Sequence, residues 1–170
     1  MADRPLPVSE RLRFREMNGG DLFNLHDMFS DTAARRFYPQ MRHFENVQAW
    51  IDWNLQNYAR YGFGLWVLTC AETGAFVGDC GLTYQVVEDR DELEIGYHVA
   101  LPHRHRGLAL EAGRAVLRYG LEHCDAAMIC SKVAPHNAAS IGVASRLHRL
   151  RREYRNDRGE RRLLFYTLRS

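Results

Sequence analysis

Two hydrophobic periods divide this chain into elements, one of two residues and one near 3.6, the spacings of a half-buried strand and of an amphipathic helix. Leu12 and Phe14 alternate with Arg11, Arg13 and Arg15, which predicts a first strand. Gly19-Gly20-Asp21 then breaks the chain and offers an N-cap to a helix over 22–29. Residues 30–42 follow no period and are expected to be irregular, with Phe37, Tyr38 and Met41 around Pro39. Over 46–60, Val47, Trp50, Ile51, Leu55, Tyr58 and Ala59 fall on one helical stripe that Gly62 stops, while Trp53 falls off it. Strands over 65–69 and 76–84 flank a turn at Glu72-Thr73-Gly74, and the acidic loop over 87–92 is expected to be a solvated hairpin tip.

The clearest alternation covers 92–100. Leu93, Ile95, Tyr97 and Val99 interleave with Glu92, Glu94, Gly96 and His98, so the two sets face opposite sides of a sheet. Pro102 cannot continue a paired ladder, and the strand should end or splay near Ala100. A helix over 108–123 is apolar except along a narrow edge of Glu111, Arg114, Arg118 and Glu122, which predicts burial against a sheet. The strand over 126–133 is apolar enough to be covered on both faces. A helix over 138–147, capped by Asn137, precedes a last strand over 163–168, which Asp157-Arg158-Gly159 turns back on the segment before it. The order β-α-α-β-β-β-α-β-α-β-β describes one α/β domain with a mixed sheet over residues 10–170, after a loose lead-in over 1–9.

Composition changes this picture little. A chain of 170 residues can bury about 70% of its unfolded surface in one core, and its 46% hydrophobic content suits an ordinary globular protein. A net charge of +2 is too small to argue for nucleic acid. Lys132 is the only lysine beside 22 arginines, a bias attributed mainly to the source. Cys70, Cys80, Cys124 and Cys130 lack C-x-x-C spacing, which argues against a metal or redox site; Cys70, Cys80 and Cys130 are expected to be reduced core residues. No apolar leader or membrane-length stretch is present, so a reducing cytoplasm and no membrane partner are expected.

Chemistry enters at the joint between the 92–100 strand and the helix behind it. The first amides of a helix lack intrahelical partners and sit at the positive end of its dipole, and Gly107 removes the Cβ that would hold an anion away. On that ground alone the joint could equally be an ordinary βα turn. The wider pattern is more specific: Arg104-x-x-Gly107-x-Ala109 resembles the pyrophosphate loop of the GNAT superfamily of acyl-CoA-dependent N-acetyltransferases. Glu94-Ile95-Gly96-Tyr97 and Asn137-Ala138-Ala139-Ser140 are similar to motifs of its branch that acetylates ribosomal-protein N-termini. The resemblance covers residues 11–168 and implies an acetyl-CoA co-substrate and no metal. It also implies a single GNAT-like domain, with a mixed, mostly antiparallel sheet of about seven strands and helices on both faces.

The resemblance further implies where each task would fall. Amides from His105, Arg106, Gly107, Leu108, Ala109 and Leu110 would meet the pyrophosphate, with Arg104 and Arg106 adding charge. Val99, Ala100 and Leu101 would pair with the pantetheine arm, Asn137 would cap its helix or bind that arm, and an amide near Val99 would hold the oxyanion. Phe37 and Tyr38 lie where the family walls its acceptor pocket; Trp53, Glu92 and His98 complete the candidate lining.

An amine acceptor of pKa about 10.4 is almost wholly protonated at neutral pH, so a base is needed. Glu94 is the first candidate and His98 the second; a carboxylate paired to an arginine and a structural histidine are the plainer alternatives. The family's acid tyrosine has no counterpart between Tyr119 and Tyr154, which leaves the Ser140 hydroxyl as thiolate acid or as a first-turn helix bond. One departure is Leu147-His148-Arg149 in place of Leu-Gly-Phe, where a glycine would end the helix with φ above zero. The expected function is acetyl transfer by direct attack in a ternary complex. Acceptors in order are a protein N-terminal α-amine, a polyamine or aminoglycoside-like amine, and an amino-acid-like metabolite. An acceptor pocket lined by Glu88, Asp89, Asp91 and Glu92 would favour polyamines, and one beside Phe37, Tyr38 and Trp53 a peptide terminus. The competing readings are a silent acyl-CoA sensor and a ribosome or RNA contact module built on the arginines from Arg146 to Arg162. A homodimer through the last strands is a further expectation from family habit.

Overall fold

The alternating stretches form β1 (Leu12–Arg15), β2 (Leu65–Cys70), β3 (Phe76–Val87), β4 (Arg90–Val99), β5 (Met128–Val133), β6 (Leu150–Arg155) and β7 (Arg161–Leu168). In the computed structural model, which describes residues 5–169, they make one seven-stranded sheet in the order β1-β2-β3-β4-β5-β7-β6. Residues 1–4 of the expected lead-in lie outside the described residues. Neighbouring strands are antiparallel except β4 and β5, which run parallel and pair only at Leu93–Ile129 and Glu94–Cys130. The architecture is the mixed, mostly antiparallel α/β sheet expected, with α1 (Leu22–Met28), α2 (Thr32–Phe37), α3 (Phe44–Tyr61), α4 (Leu108–His123) and α5 (Ala138–Leu147) distributed over its faces.

On one face α4 lies close because Gly120 carries no side chain: a Cβ there would stand 2.7 Å from Ile129 Cδ1 and 3.2 Å from Leu82 Cδ1. The opposite face carries Asp79, Gly81 and Thr83 of β3 beneath the aromatic residues of the α1–α3 layer. Among the described residues no helix is long and apolar enough to cross a membrane.

Several local expectations change. Residues 30–42 are not irregular: Asp31 accepts hydrogen bonds from the Ala33 and Ala34 amides and caps α2, and a 3-10 turn follows over Pro39–Arg42. Six helical residues are too few to show a hydrophobic period. The acidic loop is shorter than expected, since β3 runs to Val87 and β4 starts at Arg90. Glu88 and Asp89 turn the chain with φ of 49° and 65°, the left-handed pair of a type I′ hairpin. The Glu88 carboxylate accepts two bonds from Arg152 of β6, at 2.9 and 2.6 Å.

The α3 stripe is also rotated from its expected position. Leu55 is 41% exposed and Ala59 is exposed, while Asn54 and Asn57 are buried. Asn54 Oδ1 accepts from the Leu65 amide at 2.8 Å, and Tyr58 accepts from the Met17 amide while donating to the Leu65 carbonyl. Asn54 and Tyr58 thus place polar atoms on the buried face because they satisfy backbone groups entering the sheet. Cys70 lies half-exposed at the end of β2 instead of in the core, whereas Cys124 is buried; all four cysteines are free thiols.

His148 ends α5 without the left-handed residue that a glycine would supply. Its φ of −111° is extended, and its amide closes the helix on the Ala144 carbonyl. The imidazole is buried between strands: Nε2 lies 3.1 Å from Ser131 Oγ and Nδ1 lies 2.9 Å from Thr167 Oγ1. Among the described residues no carboxylate pairs with it, and burial lowers its pKa to about 4.

Candidate active site

Three cross-strand pairs set the site: Asp79–His98, Gly81–Gly96 and Thr83–Glu94, all on the face of β3 and β4 turned toward the aromatic layer. Two glycines opposite each other place no side chains at the centre. A Cβ on Gly81 would lie 1.9 Å from the Gly64 carbonyl oxygen, so β2 crosses close enough for Leu65 to form the floor. The result is a cavity of about 250 Å³ walled by Tyr38, Trp50 and Trp53, with Glu94, His98, Lys132 and Ser140 reaching it. Trp53, off the helical stripe, therefore turns to the cavity. Phe37 does not line it and stacks on His136 instead, with ring centroids 5.3 Å apart. Glu92 also falls outside the lining.

Glu94 is 18% exposed and held at two points by one residue of β5. The Lys132 amide donates to Oε1 at 3.2 Å, and Lys132 Nζ stands 3.7 Å from Oε2 while donating to Gln85 Oε1 at 3.2 Å. Burial pushes the Glu94 carboxyl above its ordinary pKa, and the Lys132 charge only partly opposes this. A carboxylate so placed is a better proton acceptor than an exposed one.

His98, four residues along the same face, has a partner that the linear pattern does not reveal. Its Nδ1 lies 2.6 Å from Oδ1 of Asp79, a carboxylate with no solvent exposure. Phe29, Tyr38 and Trp50 surround the imidazole at centroid distances of 5.1, 4.9 and 5.9 Å. Burial raises the Tyr38 phenol to about 12, so it stays neutral beside the pair.

Beyond Glu94 the β4 edge opens away from β5. The Ala100 amide bonds back to the Val77 carbonyl at 2.9 Å, so by strand alternation the Val99 amide points to the opened edge. Ser131 Oγ donates to the Ile95 carbonyl at 3.1 Å, and Tyr97 OH donates across the gap to the Ser140 carbonyl at 3.0 Å. Asn137 Oδ1 accepts from the Ser140 amide at 3.1 Å, which uses that oxygen as the α5 cap. Tyr97 is a hydroxyl at the start of α5 that a search of α5 itself misses, because it comes from β4.

The turn between β4 and α4 leads from Ala100 and Leu101 through a short 3-10 segment to Gly107. His105 and Gly107 have φ of 59° and 74°, and α4 begins with no side chain capping its first amides at Leu108, Ala109 and Leu110. Such bare amides at a helix start suit a phosphate. Arg104 does not join them as a free charge. Its Nε donates to the Val99 carbonyl at 2.9 Å, and its two terminal nitrogens clamp Asp31 at 3.0 and 2.6 Å. The Arg104 guanidinium holds the Asp31 carboxyl below its ordinary pKa. Behind the loop Arg11 donates to the Arg106 carbonyl at 3.0 Å and pairs with Glu111. A second groove of about 540 Å³ lies there, between residues 8–11 and Arg114 and Arg118 of α4.

Three of the eight arginines in the C-terminal run from Arg146 to Arg162 are paired with carboxylates. Arg152, Arg161 and Arg162 pair with Glu88, Glu153 and Glu160, which leaves a solvated, mixed-charge surface.

Comparison with known proteins agrees with this fold. The family model for the acetyltransferase (GNAT) domain matches residues 11–148. Uncharacterized protein YkkB of Bacillus subtilis (strain 168) is 35% identical over 143 residues, 82% of each chain. An acetyltransferase from Agrobacterium tumefaciens str. C58 shares the fold with a TM-score of 0.80 at 22% identity, over 96% of this chain and 94% of that one. The ribosomal L7/L12 alpha-N-protein acetyltransferase RimL, in complex with coenzyme A, does so with a TM-score of 0.73 at 20% identity, over 95% and 96%.

Proposed function

Because the chain belongs to the GNAT acetyltransferase family, we propose that it moves an acetyl group from acetyl-CoA to a primary amine by direct attack in a ternary complex. The observation that carries this reading is the opening between β4 and β5. It has uncapped helix amides at one end and, at the other, a cavity holding a half-buried carboxylate. The residues suit the co-substrate: Gly107 presents backbone without a Cβ, and the Val99 amide is aimed into the gap where a pantetheine or thioester oxygen needs a donor. Glu94 takes the proton that an incoming ammonium must lose, directly or through water. Ser140 and Tyr97 are the hydroxyls beside the departing thiolate.

The lining favours a peptide α-amine over a polyamine. Glu88, Asp89, Asp91 and Glu92 all lie outside the cavity, and Glu88 is occupied by Arg152, while Tyr38, Trp50 and Trp53 offer an apolar wall. The test is free-thiol release from acetyl-CoA against peptides with free N-termini, spermidine, aminoglycosides and amino acids. Turnover is expected with peptides first. Tight coenzyme A binding with no thiol released on any amine would instead favour a sensor, and no binding would reduce the Gly107 loop to a plain turn.

The Arg104 clamp adds a prediction. Asp31→Asn keeps the α2 cap, since asparagine caps as well as aspartate, but removes the charge that fixes Arg104. Losing a bidentate charge-assisted bond of about 1.5 kcal/mol should raise KM for acetyl-CoA about tenfold with kcat little changed. Steady-state kinetics of this variant would show a fall in kcat instead if Asp31 acted on the chemistry.

A further inference from the structure

Attack by an amine releases two protons from nitrogen, and the inference here rests on the acetyl-transfer reading above. One proton leaves as the ammonium becomes a nucleophile. The second leaves as the nitrogen lone pair forms the C–N bond to the thioester carbon and the C–S bond breaks. The departing thiolate takes one proton, and the balance is one proton released to solvent. Glu94 can take the first through intervening water, but the second is generated at the carbonyl, near the Val99 amide. Five residues of strand separate Glu94 from Val99, about 16 Å at 3.3 Å per residue. His98 is adjacent to Val99 and lines the same cavity.

We infer that Asp79 and His98 form a second proton-accepting unit, in which His98 Nε2 takes the proton lost from the nitrogen as the C–N bond forms. Asp79 accepts from Nδ1–H, which places the lone pair on Nε2. The carboxylate has no solvent exposure, and its second oxygen has no hydrogen-bond partner among the described residues. A carboxylate kept only for structure would be satisfied at both oxygens, because an unpaired buried one is costly. Left half-satisfied, Asp79 instead offers uncompensated negative charge to an imidazolium formed next to it. The ring cannot turn away, being boxed by Phe29, Tyr38 and Trp50. The titratable groups facing it are Asp79 from β3, Tyr38 from the segment after α2 and Glu94 along β4. Asp79 is a positioning residue, since it reaches the acceptor only through His98.

The test compares His98→Gln, Asp79→Asn and Glu94→Gln in the full chain, using one acceptor and an analogue whose amine pKa is lowered by neighbouring fluorine. A lower amine pKa removes the need for the first proton acceptor but not the second. Glu94→Gln should therefore recover with the fluorinated amine. His98→Gln should lose about 100-fold in kcat with both amines, at unchanged KM for acetyl-CoA. Asp79→Asn should fall at least tenfold in kcat by the same pattern. Added imidazole should restore His98→Ala, in proportion to its neutral fraction as pH is varied. The 15N shifts of His98 in the unmodified protein, which need no variant to fold, should show Nδ1 protonated and Nε2 as acceptor. A protonated Nε2 at neutral pH, or a His98→Gln kcat within threefold of the parent, would overturn the dyad while leaving the acetyl-transfer reading intact. Absence of turnover in the parent protein would end both.

Discussion

Replacing Glu94 by glutamine is expected to cost about 100-fold in kcat/KM at pH 7.5 toward an acceptor amine of pKa near 10.4, and less than about threefold toward an α-amine of pKa near 7.8. The asymmetry follows from how much free amine the solution supplies. At that pH only about 0.1% of the first is neutral, against roughly a third of the second. Without Glu94 the enzyme must wait for amine that is already deprotonated, and log kcat/KM for the strongly basic acceptor should climb with pH at unit slope. The parent protein should lose activity on the acid side instead, as Glu94 itself takes a proton. Burial lifts that carboxyl above the ordinary glutamate range, so the acid limb should stand above the usual value near 4.3. Pre-steady-state or steady-state pH profiles of the two proteins decide the matter. Equal losses on both amines would assign Glu94 to binding rather than proton removal.

The second large effect concerns stability. His148 is folded with a pKa of about 4 against 6.5 when free, so between those values the unfolded chain binds a proton that the folded chain refuses. Above pH 6.5 both states are neutral and the residue carries no penalty. As pH falls toward 4 the penalty grows by about 1.4 kcal/mol per unit, reaching roughly 3 kcal/mol. Urea unfolding at pH 7 and pH 4.5 should register most of that loss, on top of carboxylate contributions shared by any variant. His148→Leu should remove it, since Ser131 keeps its bond to the Ile95 carbonyl and an apolar side chain of similar bulk fills the site. Identical pH slopes for the two proteins would mean that the imidazole is not held neutral.

The residues that read correctly from the chain are those whose role is set by local spacing. Glu94, Gly96 and His98 share a face because strands alternate, and Gly107 opens α4 because the helix pattern starts behind it. What the chain hides is contact at a distance. Asp79 sits 19 positions before His98 and meets it only because the Glu88-Asp89 turn fixes the register of β3 on β4. Within Val77-Gly78-Asp79-Cys80 an acidic residue suggests an exposed position, and only the covering aromatic layer makes it internal. Arg104 was expected to serve the anion, yet its planar fork finds Asp31, a residue whose capping role was masked by the brevity of α2. Asn54 defeated the hydrophobic stripe of α3 for a related reason: the Leu65 amide at the start of β2 needs a partner more than that helix face needs carbon.

The single lysine, placed against Glu94, gives the protein a chemical property that its arginines cannot. Thioesters acylate free amines without any catalyst, whereas guanidinium groups stay charged and inert at physiological pH. A surface furnished with arginine is therefore spared slow modification by acyl thioesters. The one side-chain amine that remains lines the cavity beside Glu94, 21% exposed. Among side chains an amine-reactive ester would thus mark Lys132 alone, and its rate of labelling, read separately from that of the α-amine, would report on whether a ligand is seated in the cavity.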